Sequence, residues 1–145
     1  MFAQTHRIRN SAANILLYSD ADTLYHAEPD LEYLSEICPA DSLCTFFDRP
    51  KFRDETGFYM HNPQHPKAKQ WADRLEEIYL SGEVWTYEKD RAADQYTMAF
   101  GRESFQDCKQ MDLMKYHEGM DLKDPVPTSP LSNFLQHLKG DKKTS

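Results

Sequence analysis

The chain has 145 residues, 39% of them hydrophobic, which is enough for one buried core and too little for two full domains. Its 24 acidic and 17 basic side chains leave a net charge of -7, opposing the broad electrostatic attraction behind nucleic-acid binding. No run approaches the roughly 20 apolar residues that span a bilayer, and Met1 to Asn10 lacks a signal-peptide core, so the expectation is a cytoplasmic chain without a transmembrane segment.

Ile15 to Tyr18 is a short continuous apolar run, which predicts a strand covered on both faces, as inside an α/β sheet. Asp20 and Asp22 follow at its carboxyl end, where open α/β sheets place their ligands. Residues two apart in an extended segment point to the same side, so both carboxylates can grip one cation; an Asp-x-Asp pair is also what a solvated turn looks like. Pro29 suits the first position of a short helix carrying Leu31, Leu34 and Ile37, stopped by Pro39. Leu43 to Phe47 and Thr56 to His61 read as strands, separated by a charged loop containing Arg49, Lys51, Arg53 and Asp54. Three cysteines, Cys38, Cys44 and Cys108, show no Cys-x-x-Cys spacing and indicate neither a disulfide framework nor a zinc site.

The clearest helix begins near Pro66 and carries Trp71, Ala72, Leu75, Ile78 and Tyr79 at helical spacing until Ser81 and Gly82; its apolar stripe is assigned to packing. A second helix is expected from about Arg91 to Phe100, capped by Asp90 and closed by Gly101, with Asp94 and Gln95 early on it. Met111, Leu113 and Met114 offer a strand, and Pro125, Pro127 and Pro130 an extended connector. The tail Asn133 to Lys143 holds His137, Lys139, Gly140 and Lys143, a set that a solvated terminus would also explain.

Taken in order, the strand into Asp20-Ala21-Asp22, then Glu55-Thr56-Gly57-Phe58, Ser81-Gly82-Glu83, Asp94-Gln95 and His137-x-x-Gly140-x-x-Lys143 resemble a nucleotide-sugar glycosyltransferase of the GT-A type. The nearest pattern is the retaining glycosyltransferase family 8 with its bacterial relatives. The resemblance implies an α/β fold: one partial GT-A domain over residues 1–145, Rossmann-like with a mixed sheet. It implies transfer of a sugar from a nucleotide-sugar donor to a saccharide, protein or lipid-linked acceptor, assisted by a divalent cation. Asp20, Asp22 and His137 would hold the cation, and Gly140 and Lys143, helped by Lys139, the diphosphate. Asp94 and Gln95 would lie beside the transferred sugar as the catalytic pair, and Glu55, Thr56 and Gly57 would border the sugar and acceptor. A neutral imidazole beside two carboxylates tilts the cation from magnesium towards manganese. Asp94 has a plainer role open to it, complementing the dipole of a helix start.

The match runs from about Arg7 to Lys143 and corresponds to the second half of a complete enzyme, without the strand–helix units that hold base and ribose. The expectation is therefore an internal start or truncation, a partner chain that supplies the missing half, or a remnant without turnover. Thr144-Ser145 replaces the Pro-Trp that often follows the family's final lysine. Asp20-Ala21-Asp22-Thr23-Leu24 also resembles the nucleophile motif of haloacid-dehalogenase-type phosphatases, with Asp20 attacking phosphorus and Asp22 as acid and base. There Leu24 stands where Thr or Val is usual, and no later acidic pair completes a magnesium site. A non-catalytic cation-binding module is the third alternative. An EF-hand is excluded by Tyr25 and Leu31 at the positions of its glycine and bidentate glutamate.

Overall fold

The computed structural model describes residues 1–49, 53–86 and 94–138. The chain opens with α1 (Phe2–Asn10), which buries only Thr5 and Ile8. Its anchor is polar: the Arg9 guanidinium forks onto Glu76 at 2.7 and 2.8 Å and reaches Asp73 at 2.9 Å. Next come β1 (Leu16–Ser19) and β2 (Thr23–Tyr25). Asp30 caps α2 (Leu31–Ile37) by accepting from the Glu32 and Tyr33 N–H groups, so Pro29 precedes the cap instead of opening the helix. Leu34 and Ile37 are buried but Leu31 is 72% exposed, because a two-turn helix has room for only a narrow apolar stripe.

β3 (Cys44–Phe46) is followed by a two-residue ladder, β4 (Asp48–Arg49) with β5 (Arg53–Asp54), in place of the expected charged loop, and then by β6 (Phe58–His61). Lys51 lies outside the described residues. In α3 (Ala68–Leu80) the spacing buries Trp71, Ala72, Leu75 and Ile78, whereas Tyr79 is 43% exposed and meets the Phe2 ring edge-on. α4 (Asp94–Glu103) runs through Gly101 instead of ending there. A Cβ on Gly101 would come within 2.5 Å of Leu75 Cδ2 and 2.9 Å of the Trp71 ring, so this glycine serves a close helix crossing. The expected start at Asp90 and Arg91 falls outside the described residues. β7 (Gln110–Asp112) leads directly into α5 (Leu113–Tyr116), where Asp112 accepts the Met114 N–H; Leu113 and Met114 are thus helical, not part of a strand. The proline-rich connector forms two 3-10 turns, Val126–Thr128 and Pro130–Asn133, before β8 (Leu135–His137).

The main sheet is mixed, with strand order β1-β6-β3-β7: β6 is antiparallel to both neighbours, and β3 and β7 are parallel. β1 is therefore an edge strand, and all four of its residues are only half-buried, against the expectation of cover on both faces. Its apolar run matches what an interior strand carries, but the interior places go to β3 and β6, where every residue is buried. Alternation along β6 feeds two cores. Tyr59 joins Ile8, Trp71, Leu75 and Met98 on the α1, α3 and α4 side. Phe58 and Met60 join Leu34, Ile37, Leu113, Val126, Leu131 and Phe134 on the other. Five α-helices among the described residues accompany this sheet, so the fold is mixed α/β, and no described helix is long and apolar enough to cross a membrane.

Two buried polar groups tie the first core together. Asp54, fully buried, takes two hydrogen bonds from Arg102 at 2.9 and 3.2 Å, and the guanidinium lies 4.0 Å over the Phe46 ring. Burial pushes the Asp54 carboxyl up to about 6 against the opposing pull of Arg102. His61 receives the Trp71 indole N–H on Nδ1 at 3.2 Å. Indole is a donor only, so the His61 proton sits on Nε2, and the Gln4 side-chain amide, whose nitrogen lies 2.6 Å away, must turn its oxygen to that position to accept it. Burial lowers this histidine to about 3.

Candidate metal centre

The site is built where β1 turns back. Ser19 pairs with Phe58, and the Asp20 N–H reaches the Gly57 carbonyl at 3.4 Å, extending the ladder by one residue. The Thr23 N–H then donates to the Asp20 carbonyl at 3.0 Å, closing a tight turn that leads into β2. β8 pairs antiparallel with β2 in a register that sets His137 opposite Thr23, and the Leu138 N–H bonds the Asp22 carbonyl at 2.9 Å. Backbone pairing alone thus carries His137 across to the acidic turn.

His137 Nε2 lies 3.1 Å from Asp22 Oδ1 and 3.9 Å from Asp20 Oδ2. One ligand atom from each of the three side chains falls within 4.8 Å of the others, so the group could hold a metal ion. The carboxylates are 37% and 26% exposed while the imidazole is 5% exposed, leaving the oxygens open to an entering ion and the nitrogen fixed. Burial pushes the Asp20 carboxyl up from its ordinary range; His137 opposes this, while the charges of Asp22, Glu55 and Asp94 reinforce it. A carboxylate crowded by other carboxylates is stabilised by a cation, for which it exchanges its proton.

Of the other residues named from sequence, Thr56 and Asp94 meet with Tyr18 along one narrow crevice. Burial and then the charges of Asp20 and Asp94 raise the Tyr18 hydroxyl. Gln95 follows on α4, half-buried. Gly57 lies against His137 itself, with the Glu55 carboxylate on the same glycine. The Gly57 N–H donates to Glu55 Oε1 at 3.0 Å, and a Cβ on Gly57 would be 2.5 Å from His137 Cε1 and 2.7 Å from Nδ1. Lys139, Gly140 and Lys143 are outside the described residues.

Two features escaped the sequence reading. Arg49 holds Glu55 through a 2.7 Å ion pair and bonds the carbonyls of Arg53, Asp54 and Lys123. Beyond His137 opens a cavity of about 360 Å³ lined by His26, Asp124, Pro127, Ser132, Leu135 and Gln136. In the sequence Arg49 is one charge of a loop, and nothing local announces its partner. The cavity depends on the β2–β8 pairing and has no sequence signature. Comparison of this chain with protein-family models, with curated proteins and with solved structures finds no match.

Proposed function

We propose that the chain transfers a sugar from a nucleotide-sugar donor, with a divalent cation on Asp20, Asp22 and His137 bearing on the donor diphosphate. The observation that carries this is the β2–β8 pairing, which brings a histidine onto an Asp-x-Asp pair 115 residues upstream. The ordered motifs implied that encounter; local spacing does not. A mixed sheet whose first strand delivers the acidic pair at its carboxyl end supports a GT-A type of fold. Two hard oxygens with one imidazole nitrogen favour manganese over magnesium.

A divalent cation held by Asp20, Asp22 and His137 would supply positive charge against the diphosphate leaving group as the glycosidic bond breaks. Lys139, Gly140 and Lys143 follow His137 directly and are assigned to the diphosphate, as cationic donors and as a point of close backbone approach. Asp94, in the crevice with Tyr18 and Thr56, is assigned with Gln95 to orienting the sugar and stabilising an oxocarbenium-like centre. The cavity beside His137 gives room for a ligand next to the cation.

The test titrates Mn2+ together with uridine, guanosine and adenosine diphosphates into the wild type and Asp22→Asn, and then follows release of sugar from the matching sugar nucleotides. Mn2+-dependent diphosphate binding and sugar release, both lost in Asp22→Asn, are expected. Mn2+ binding without any affinity for diphosphate would reduce the chain to a cation-binding module.

A further inference from the structure

His137 has one nitrogen engaged and one idle. Nε2 faces Asp22 Oδ1, and because a carboxylate only accepts, Nε2 carries the proton in this pairing. Nδ1 is buried and has no hydrogen-bond partner among the described residues. It lies over Gly57, where a Cβ would be 2.7 Å from Nδ1 and 3.0 Å from Glu55 Oε1. In the Nε2–H form Nδ1 and Oε1 are both acceptors, so no hydrogen bond can join them.

Resting on the cation site proposed above, we infer that Glu55 is the positioning residue for His137. When Nε2 turns its lone pair on a cation it gives up its proton, and Nδ1 takes one up, so the ring stays neutral. The new Nδ1–H is accepted by Glu55 Oε1. Metal-bound imidazoles need such a partner for the second nitrogen, which fixes the ring and raises its basicity. Arg49 anchors the opposite oxygen, Oε2, at 2.7 Å and so aims the carboxylate, while the absent side chain at Gly57 keeps the path between the two groups clear. Glu55 is thereby assigned to the cation site instead of to sugar or acceptor.

The experiment reads the ring directly. Two-bond proton–nitrogen correlation spectra of 15N-histidine-labelled wild type should show His137 as Nε2–H without metal and as Nδ1–H with Zn2+, a diamagnetic probe. Mn2+ affinity, measured by electron paramagnetic resonance, should weaken about tenfold or more in Glu55→Gln. Arg49 keeps its three carbonyl partners in that variant, and Gly57→Ala, whose methyl enters the gap, should weaken binding similarly. A Zn2+-loaded ring that remains Nε2–H, or unchanged Mn2+ affinity in both variants, overturns the role of Glu55 and leaves the cation site standing. A wild type that binds neither ion overturns the cation site and this inference together.

Discussion

Asp54 and Glu55 are neighbours in sequence and each closes on an arginine, Arg102 and Arg49, whereas Asp20 and Asp22, with one residue between them, converge on a histidine. Arginine stays charged at any working pH and meets a carboxylate with a rigid fork, so the first two pairs are permanent ties between β5, α4 and the loops around them. Histidine is neutral for much of the physiological range and can ligate a metal. Burial raises Asp54 and Asp20 alike, but Asp54 is opposed by a guanidinium, and Asp20 chiefly sees other carboxylates besides His137. One region is electrostatically complete; the other gains from an added cation.

The sharpest way to break the comparison is to treat the complete region as if it were dispensable. Asp54→Ala removes both close hydrogen bonds of a largely buried Arg102, leaving it only the 3.6 Å ion pair with Asp48, and should cost about 3 kcal/mol in denaturant unfolding, since a buried charge then loses its main partner. A cost near zero would mean the pair is not structural. Leu75→Ala, in the fully buried stripe of α3, should cost about 2 to 5 kcal/mol. It should leave Mn2+ affinity unchanged if packing and site are separate.

His61 sharpens the contrast through pH. It titrates near 3 in the fold against its ordinary 6.5, so between those values the unfolded chain binds more protons and stability falls as pH drops below 6.5. Asp54, raised to about 6, works the other way between 3.8 and 6, because there the folded chain holds the proton. Comparing wild type with His61→Asn cancels the Asp54 contribution. The stability difference, wild type minus variant, should rise with pH by up to about 1.4 kcal/mol per pH unit between 3 and 6.5. Parallel curves would mean that His61 is not held neutral.

The smallest effect on stability belongs to the incomplete region. Asp22→Asn should shift unfolding by no more than about 1 kcal/mol, since the carboxylate is part-exposed and its loss also relieves repulsion with Asp20.

Sequence made one half of this contrast legible. The apolar strand into Asp20 and Asp22 was readable from pattern, because a continuous apolar run and carboxylate spacing are local. His137 entered only through the order of motifs, since β2 and β8 are three residues each and carry no hairpin signal. The edge position of β1 could not be read from Ile15 to Tyr18, because an apolar run encodes burial but not its neighbours. Gly101 looked like a helix stop, and only the Trp71 and Leu75 side chains opposite reveal a crossing. The arginine pairs were hidden for the same reason: Asp54 and Arg102 are 48 residues apart, and charge alone does not name a partner.

The central claim, that Asp20, Asp22 and His137 take a divalent cation, is tested most directly by unfolding the wild type and Asp22→Asn with and without Mn2+. A ligand that binds only the folded chain stabilises it by about 2.7 kcal/mol at a hundred times its Kd. The wild type should rise along that curve as Mn2+ increases, and Asp22→Asn should not move over the same range. Equal stabilisation of both proteins, or none in either, would contradict the site.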